Sequence, residues 1–288
     1  MSPTDQEIKD EEIIAFLEVF RDRSNYDFTN YSLKSLKRRI SKILSDSKLS
    51  ISQLEDTIFS NPQFMEKVVM SITVNTTELF RDPSIWINLR DEILPKFSGR
   101  KSMRIWHAGC STGQEVYSMM ILLDQLNLLS KSEIFASDIN SDVLDLAKAG
   151  QYKYRFNHAY IDNLDAVVLP EKNPTEEKKQ RLHENYFIID KARDLIQMKK
   201  FLTDKPVFKK IDLVKDENLF AIKFDLIICR NVIIYFNSDL QNKVFNLFYK
   251  NLNSDGCLVL GVHESILGPY SSQFVKKNQV YFKNPIHK

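Results

Sequence analysis

The chain begins with a helical spacing of apolar positions. Apolar residues recur every three or four positions, the spacing that places them on one face of an α-helix. They are Ile13, Ile14, Phe16, Leu17 and Phe20, then Leu33, Leu36, Ile40, Ile43 and Leu44, then the apolar positions of 58–69. This pattern predicts an N-terminal helical domain over residues 1–72.

A linker and a further helix are predicted over residues 73–101. Asp82-Pro83 is typical of a helix start, because proline is tolerated in the first helical turn. Pro95 and Gly99 interrupt helical structure further along the chain. We therefore predict one helix over residues 82–94.

From Met103 onward, short apolar runs alternate with helical stretches. Strands are predicted at 103–108, 133–137, 207–211, 224–229 and 257–262, and a terminal strand pair at 274–282. Helices are predicted at 113–128, 141–150 and 238–252. Alternation of this kind is typical of an α/β domain with parallel strands and right-handed crossovers, here over residues 102–288. Residues 151–205 interrupt it with a charged, aromatic-rich stretch and predict an inserted subdomain.

Composition narrows the class of protein. The 40 Lys and Arg residues against 38 Asp and Glu give a net charge of +2, which argues against a chain-wide nucleic-acid surface. No apolar run approaches the roughly 20 residues of a membrane span, and the start of the chain has no signal-peptide pattern. Cys110, Cys229 and Cys257 are widely spaced and odd in number, which indicates free buried thiols. We expect a cytoplasmic monomer without membrane insertion.

A glycine turn follows the first predicted strand of the α/β domain. In IWHAGCSTGQE, Gly109 and Gly113 allow a tight path into a helix whose free N–H groups suit a carboxylate, a phosphate or an adenosyl group. A purely structural turn is the alternative. The run lacks the closely spaced second glycine of a dinucleotide site and no phosphate-loop motif is present, so the turn is poor for a dinucleotide and tolerable for S-adenosylmethionine, which carries no phosphate.

An acidic residue ends the second strand of this domain. Asp138 lies roughly 25 residues past Gly113, near where a dinucleotide fold places the carboxylate that binds ribose hydroxyls. A helix N-cap is the alternative role, although Asn140 or Ser141 can cap equally well and leave Asp138 free. We favour the ribose role.

The histidines do not form a catalytic or metal-binding pattern. No Ser-His-Asp order, Cys-His pairing or metal-ligand spacing is present, so each histidine is interpreted as structural or exposed. These residues are His107, His158, His183, His263 and His287.

Three stretches, in order, resemble the CheR family of chemotaxis-receptor methyltransferases. VNTTELFRD is similar to the family's N-x-T-x-F-F-R, AGCSTGQEVYS to C-S-T-G-E-E-P-Y-S, and FDLIICRNVIIYFN to F-D-x-I-x-C-R-N-V-x-I-Y-F. The resemblance covers residues 71–268 and departs from these motifs at Leu79, Gln114 and Val116. It implies a class I S-adenosylmethionine-dependent fold: a doubly wound, mostly parallel seven-stranded sheet with an N-terminal helical domain and a small inserted β subdomain. It also implies methylation of glutamate side chains on a chemoreceptor or related signalling protein.

The resemblance further implies which residues bind the cofactor. Asn75, Thr77 and Arg81 would lie over its methionine and sulfonium end, Glu115 would bind its amino group and Asp138 its ribose. Asp212 and Leu213 would contact adenine, although Asp212 replaces the family's Asn. The complete implied cofactor set is Asn75, Thr77, Arg81, Gly109, Glu115, Asp138, Asp212, Leu213, Arg230 and Asn231.

Methyl transfer to glutamate requires alignment more than proton transfer. A glutamate carboxylate with a pKa near ~4.3 is already ionised at neutral pH, so no general base is needed. Arg230 and Tyr235 are the predicted catalytic residues, one pairing the carboxylate and the other orienting it. The alternatives are a surface ion pair for Arg230, simple packing for Tyr235, and for Arg81 a salt bridge with Asp82 or Glu78.

A basic stripe marks the second predicted helix. Lys34, Arg38 and Lys42 recur at i, i+4 and i+8 and share one face. A solvated face is the ordinary reading of such a stripe. In the family, the helical domain is thought to meet the acidic methylation helices of the receptor, so we predict that these residues bind substrate.

Two other functions stay open. The chain could be another methyltransferase, acting on a small carboxylic acid or a nucleobase, although the turn after the strand at 224–229 lacks the proline usual for nucleobase amino methylation. It could also be a signalling scaffold that binds the cofactor without turnover. Family members that tether a receptor's C-terminal pentapeptide have a glycine-rich turn in the inserted subdomain. Because no glycine lies between Gly150 and Gly256, we predict no such tether.

Overall fold

The computed structural model describes residues 8–73, 76–169, 171, 173–216 and 220–284. Its helices are α1 Asp10–Arg23, α2 Leu33–Ser47, α3 Ile51–Ser60, α4 Pro62–Ile72, α5 Pro83–Asn88, α6 Gln114–Gln125, α7 Ser141–Ala149, α8 Tyr154–Val168, α9 Glu176–Tyr186, α10 Lys200–Thr203 and α11 Ser238–Asn251. Its strands are β1 Met103–Ala108, β2 Ser132–Asp138, β3 Gln151–Tyr152, β4 Phe187–Asp190, β5 Leu195–Met198, β6 Val207–Lys210, β7 Phe224–Cys229, β8 Leu252–Leu260, β9 Phe274–Lys277 and β10 Val280–Lys283.

A seven-stranded sheet with the order β6-β2-β1-β7-β8-β10-β9 forms the centre of the fold. Strands β6, β2, β1, β7 and β8 pair in parallel, and β10 pairs antiparallel with β8 and β9. This arrangement confirms the predicted α/β class, with a mostly parallel seven-stranded sheet flanked by helices. The predicted bounds of β1 and β7 match the observed ones, whereas β8 begins at Leu252, before its predicted start.

Helices cover both faces of the sheet, and its central strands are correspondingly rich in apolar residues. All six residues of β7 are buried. Leu226 and Ile228 pack into the core that includes α5, α6 and α8, whereas Ile227 and Cys229 pack into the core that includes α11. Alternate residues of a strand point to opposite faces, so a continuous apolar run is the pattern expected of a strand buried on both sides.

Helices α1 to α4 share a core of their own, built largely from the apolar positions that the periodicity identified. Ile14 is the exception, with 46% of its surface exposed. The bundle contacts the segment that follows β7: the Ser32 N–H donates to the Tyr235 carbonyl at 2.7 Å, and the Asn237 N–H donates to the Asn30 carbonyl at 2.9 Å. These bonds place the start of α2 beside the carboxyl end of β7.

The prediction of a single helix over residues 82–94 is wrong. Helix α5 ends at Asn88, and a π-helical turn at Leu89–Ile93 and a 3-10 turn at Leu94–Phe97 follow it. Proline has no N–H and its ring clashes with the carbonyl four residues earlier, so Pro95 cannot continue an α-helix. The backbone widens ahead of it, and the Leu94 N–H donates to the Leu89 carbonyl five residues back.

The segment predicted to be an insertion contains a second sheet, with the order β3-β5-β4 and antiparallel pairing. Helices α8 and α9 belong to the same stretch, and the side chain of Thr175 caps α9 by accepting from the Lys178 N–H at 3.3 Å. Cys110, Cys229 and Cys257 are free and buried, as predicted. Across the described ranges, no helix is both long and apolar enough to span a membrane.

Candidate functional site

A cleft of about 1030 Å³, measured with its opening to solvent, lies at the carboxyl end of the parallel strands, under helix α2. Open parallel sheets bind ligands at this edge. Ten of the predicted residues line it: Thr77, Arg81, Gly109, Glu115, Asp138, Asp212, Leu213, Arg230, Asn231 and Tyr235. Asn75 lies outside the described residues.

The turn after β1 needs glycine at two positions, because neighbouring side chains lie too close to the backbone there for a Cβ atom. Gly109 has φ +79°, and a Cβ atom there would lie 2.5 Å from the Cγ2 of Val232. Gly113 has φ +89° and is the N-cap of α6, where a Cβ atom would lie 2.9 Å from the Cβ of Ala147. A side chain at either position would push the turn away from its neighbours.

Asp138 is the last residue of β2 and does not cap helix α7. Its carboxylate accepts from the Ser111 N–H at 2.9 Å through Oδ2 and from the Asn140 N–H at 3.1 Å through Oδ1. Asn140 caps α7 by accepting from the Asp142 N–H at 2.7 Å, so the alternative role for Asp138 is excluded. Burial raises the pKa of Asp138, and the backbone hydrogen bonds oppose that shift. Each oxygen keeps an acceptor site for a hydroxyl group.

A buried ion cluster surrounds Arg230. Its Nη1 donates to Glu115 Oε2 at 3.1 Å, and its Nη2 donates to Asp82 Oδ2 and to the Arg81 carbonyl, both at 2.7 Å. The Arg230 side chain is only 2% exposed, which excludes the surface ion pair considered as its alternative. The cluster occupies both terminal nitrogens of the guanidinium, so Arg230 holds residues of the cleft wall in place. Asp82 pairs with Arg230, and Arg81 forms no ion pair with any described residue, although its side chain lines the cleft.

His107 contacts the Glu115 carboxylate from the buried side of the cleft wall. The histidine is fully buried in β1, and its Nδ1 lies 3.0 Å from Glu115 Oε1. Burial alone would raise the pKa of Glu115, but the His107 hydrogen bond and the Arg230 charge together lower it. Glu115 is therefore an ionised acceptor at the first turn of α6, facing the cleft.

Asp212 offers an acceptor at the far end of the cleft. Its Oδ1 accepts from the Val214 N–H at 2.8 Å, while its Oδ2 is buried without a hydrogen-bond partner in the described part of the chain. Burial raises the pKa of Asp212. A buried acceptor without a donor is costly, so this oxygen suits an N–H group such as the amino group of adenine.

The carboxylates of Glu115, Asp138 and Asp212 therefore face one cleft, and Glu78 also lines it. This charge would repel the pyrophosphate of a dinucleotide or the phosphates of a nucleotide. It suits a ligand that combines an amino-bearing base, a ribose diol and a cationic amino-acid end. S-adenosylmethionine has these groups in that order.

Helix α2 and the segment just before it contribute residues that the sequence analysis missed. Tyr31 and Arg39 both line the cleft. The Arg39 Nη1 donates to the Ile72 carbonyl, and its Nη2 is buried without a partner among the described residues. Burial lowers the pKa of Arg39, since a desolvated cation is disfavoured. The sequence signal that could have identified Arg39 is its position next to Ile40, one of the apolar positions of α2.

The predicted basic stripe lies outside the cleft. Lys34, Arg38 and Lys42 are exposed on α2, and none forms an ion pair with another described residue. Arg100, the basic residue left unassigned from sequence, pairs with Asp225 and Asp255 at the amino end of β7. It is remote from the cleft.

The sequence profile of the CheR methyltransferase, SAM binding domain, matches residues 75–281. The Pseudomonas putida protein Cher3 is 35% identical over 98% of this chain and 100% of its own length. Chemotaxis protein methyltransferase 1 of Vibrio cholerae is 31% identical over 81% of each chain. The chemotaxis protein methyltransferase of Listeria monocytogenes is 25% identical over 95% of this chain and 97% of its own.

Proposed function

The chain belongs to the CheR family of S-adenosylmethionine-dependent methyltransferases, and we propose that it converts glutamate side chains of a chemoreceptor or related signalling protein to methyl esters. The partner would be the cytoplasmic helices of that receptor. The observation that carries the proposal is the position of a partly unpaired guanidinium, that of Arg39, in the same cleft as the three cofactor-facing carboxylates.

The described residues fit the cofactor along the length of the cleft. We infer that Asp212 and Leu213 bind the adenine, Asp138 the ribose hydroxyls and Glu115 the amino group. Thr77 and Arg81 would then lie beside the sulfonium end, near Asn231. When bound, S-adenosylmethionine supplies a methyl group on a positively charged sulfur, which a carboxylate oxygen can displace.

The substrate carboxylate needs to be held and aligned, because it is already ionised at neutral pH. Arg39 has an unused N–H donor beside the cleft, and its guanidinium lies over the ring of Tyr235. A guanidinium and a phenol together can fix both the charge and the orientation of a carboxylate. We therefore assign the direct contact to Arg39 and Tyr235, and assign to Arg230 the task of holding Glu115 and Asp82 in place.

This division of roles does not require a proton-transfer group. Alignment of two bound reactants can supply on the order of 7 to 11 kcal/mol of a reaction barrier. Within the described chain, His107 is buried against Glu115 and His183 lies 2.6 Å from Asp165, a residue that does not line the cleft. Neither is placed to act as a base on a substrate in the cleft.

The test is methyl transfer to a purified receptor cytoplasmic fragment with tritiated S-adenosylmethionine. We expect label that is released as volatile methanol by mild base, because carboxyl methyl esters hydrolyse under those conditions. A matched fragment with its methylated glutamates replaced by alanine should take up no label. Cofactor binding with transfer only to a small carboxylic acid, or with no transfer to any carboxylate, would contradict the proposal.

A further inference from the structure

Glu264 is a buried carboxylate in the loop after β8, where no recognised motif lies. Only 2% of its surface is exposed. Its Oε2 accepts from the N–H groups of Gly261 at 2.8 Å and Asn231 at 2.9 Å. Its Oε1 accepts from the N–H groups of Val232 at 2.9 Å and Ile234 at 3.3 Å.

Three of these four donors belong to the turn that follows β7. Asn231 has φ +60°, a left-handed conformation that turns successive N–H groups toward one point. Buried N–H groups without an acceptor are costly, so the turn needs an anion or several carbonyl groups at that point. Burial raises the pKa of Glu264, and the four hydrogen bonds oppose that shift.

The same turn forms one wall of the cleft. The cleft is lined by Asn231, Val232 and Tyr235 of this turn. The Val232 side chain packs against the backbone of Gly109, in the turn after β1. The Tyr235 carbonyl also accepts from the Ser32 N–H at 2.7 Å, which joins the turn to helix α2. A shift of the turn would therefore move cofactor contacts and Tyr235 together.

We propose that Glu264 is a positioning residue for the active site, because its carboxylate holds the turn at residues 231–235 in the conformation that aligns Asn231 and Tyr235. Glu264 itself does not line the cleft. The inference rests on the proposed function for turnover, but the effect on cofactor-product binding does not depend on the identity of the methyl acceptor.

The test variant is Glu264→Gln, which keeps the shape of the side chain and replaces one acceptor oxygen by an N–H donor. Two of the four backbone N–H groups then lose their acceptor. The matched control is Asp225→Asn. Asp225 lies near the amino end of β7, whereas the turn that Glu264 holds follows the carboxyl end of the same strand. Asp225 is 4% exposed and accepts from the Arg104 N–H at 2.8 Å and from Asn253 Nδ2 at 2.8 Å, but it does not line the cleft.

Three quantities are measured for each folded variant: the melting temperature, the affinity for S-adenosylhomocysteine by calorimetry, and kcat and KM on the receptor fragment. For Glu264→Gln we expect the affinity and kcat each to fall by about tenfold or more. For Asp225→Asn we expect a lower melting temperature with both quantities within about threefold of the wild type. Near-normal affinity and kcat in folded Glu264→Gln, whatever its melting temperature, would overturn the proposal.

A second variant keeps the test decisive if Glu264→Gln does not fold. In Gly261→Ala, the new Cβ atom would lie 2.9 Å from Glu264 Oε2 and 3.2 Å from the Asn231 nitrogen, so it displaces the same contacts without removing the carboxylate. We expect a smaller loss of S-adenosylhomocysteine affinity in the same direction. Unchanged affinity in Gly261→Ala would count against Glu264. If the wild type binds the product but does not methylate the fragment, the proposed substrate is wrong while the binding comparison still decides the role of Glu264.

Discussion

The guanidinium carbon of Arg39 lies 4.5 Å from the centroid of the Tyr235 ring, which joins helix α2 to the turn after β7 at the mouth of the cleft. A cation over an aromatic face is stabilised by the ring quadrupole, and more so where water is excluded. The contact leaves the Arg39 Nη2 without a partner among the described residues. A carboxylate that enters the cleft would supply the missing acceptor.

Replacing Arg39 by Ala should therefore weaken use of the protein substrate more than binding of the cofactor. A hydrogen bond to a charged group is worth about 1.5 to 3 kcal/mol, so kcat/KM on the receptor fragment should fall by roughly tenfold to 150-fold. The control is Arg23→Ala, since Arg23 lies 4.0 Å over the Phe59 ring, away from the cleft. Equal kcat/KM for the two variants would remove Arg39 from substrate binding.

Replacing Arg230 by Ala distinguishes a positioning role from a direct one. The change leaves Glu115 and Asp82 without their buried cation, which typically costs 3–5 kcal/mol of unfolding free energy. We expect stability and S-adenosylhomocysteine affinity to fall together, because Glu115 is expected to bind the amino group. A folded variant with normal product affinity and lost turnover would instead support direct pairing of Arg230 with the substrate carboxylate.

The affinity for S-adenosylhomocysteine should decline in mildly acidic solution. Burial raises the pKa of Asp138, so this carboxylate takes up a proton at a higher pH than an ordinary aspartate. Protonation converts one acceptor into a donor, which weakens the ribose contacts as the pH falls. Glu115 has a lowered pKa and stays ionised over the same range, whereas Asp212 has a raised pKa and adds to the decline. Calorimetry from pH 8 to pH 5 should show a smaller pH dependence for Asp138→Asn. An unaltered pH dependence would exclude Asp138.

Reversing the basic stripe should affect the receptor and leave the cofactor alone. We expect the variant with Lys34, Arg38 and Lys42 changed to Glu to lose receptor methylation by about tenfold or more, and wild-type methylation to slow as salt rises. The control reverses three basic residues of α9 with the same change of charge: Lys178, Lys179 and Arg181. Similar methylation rates for both variants would mean that the stripe is only solvated surface.

Much of the fold could be predicted because its signals are local. Strands β1 and β7 are mostly apolar, and a strand buried on both sides produces that pattern within its own residues. Asp138 was identifiable because it is the last residue of the strand that follows the glycine turn and helix α6. The π-helical turn before Pro95 could not be predicted. The proline ring clashes with the carbonyl four residues earlier, and a chain can relieve that clash either by ending the helix or by widening it.

The missed site residues depend on contacts far apart in the sequence. Periodicity assigned Lys34, Arg38 and Lys42 to one face of α2, but Arg39 lies at the edge of that face and its role depends on docking against Tyr235. Glu264 holds backbone N–H groups, and every residue type except proline can supply those. A side chain that acts through the backbone of a distant turn leaves no residue pattern to recognise.

The three-stranded sheet of the inserted segment is where a receptor's tethering peptide would bind. Strand β4 is at its edge, and an edge strand can accept a peptide as an additional strand. The turn from β4 to β5 closes without glycine: Asp194 takes φ +54°, and Asp190 accepts from the Arg193 N–H at 3.0 Å. Aspartate tolerates the left-handed conformation better than most residues.

This turn is also tied to helix α8, which limits its freedom to adapt to a peptide. The Asp194 side chain accepts from the Arg155 N–H at 2.8 Å, and the Asp194 carbonyl accepts from the Tyr154 N–H at 3.1 Å. We therefore expect no binding of a receptor C-terminal pentapeptide to the β4 edge, and equal methylation rates for receptor fragments with and without that peptide. Titration calorimetry with the pentapeptide decides the matter, with Ile188→Asp on the exposed face of β4 as the variant that would abolish any binding there. Micromolar affinity that is lost in Ile188→Asp would overturn the prediction and restore a tethered mechanism, because the glycine-free turn would then have kept its groove.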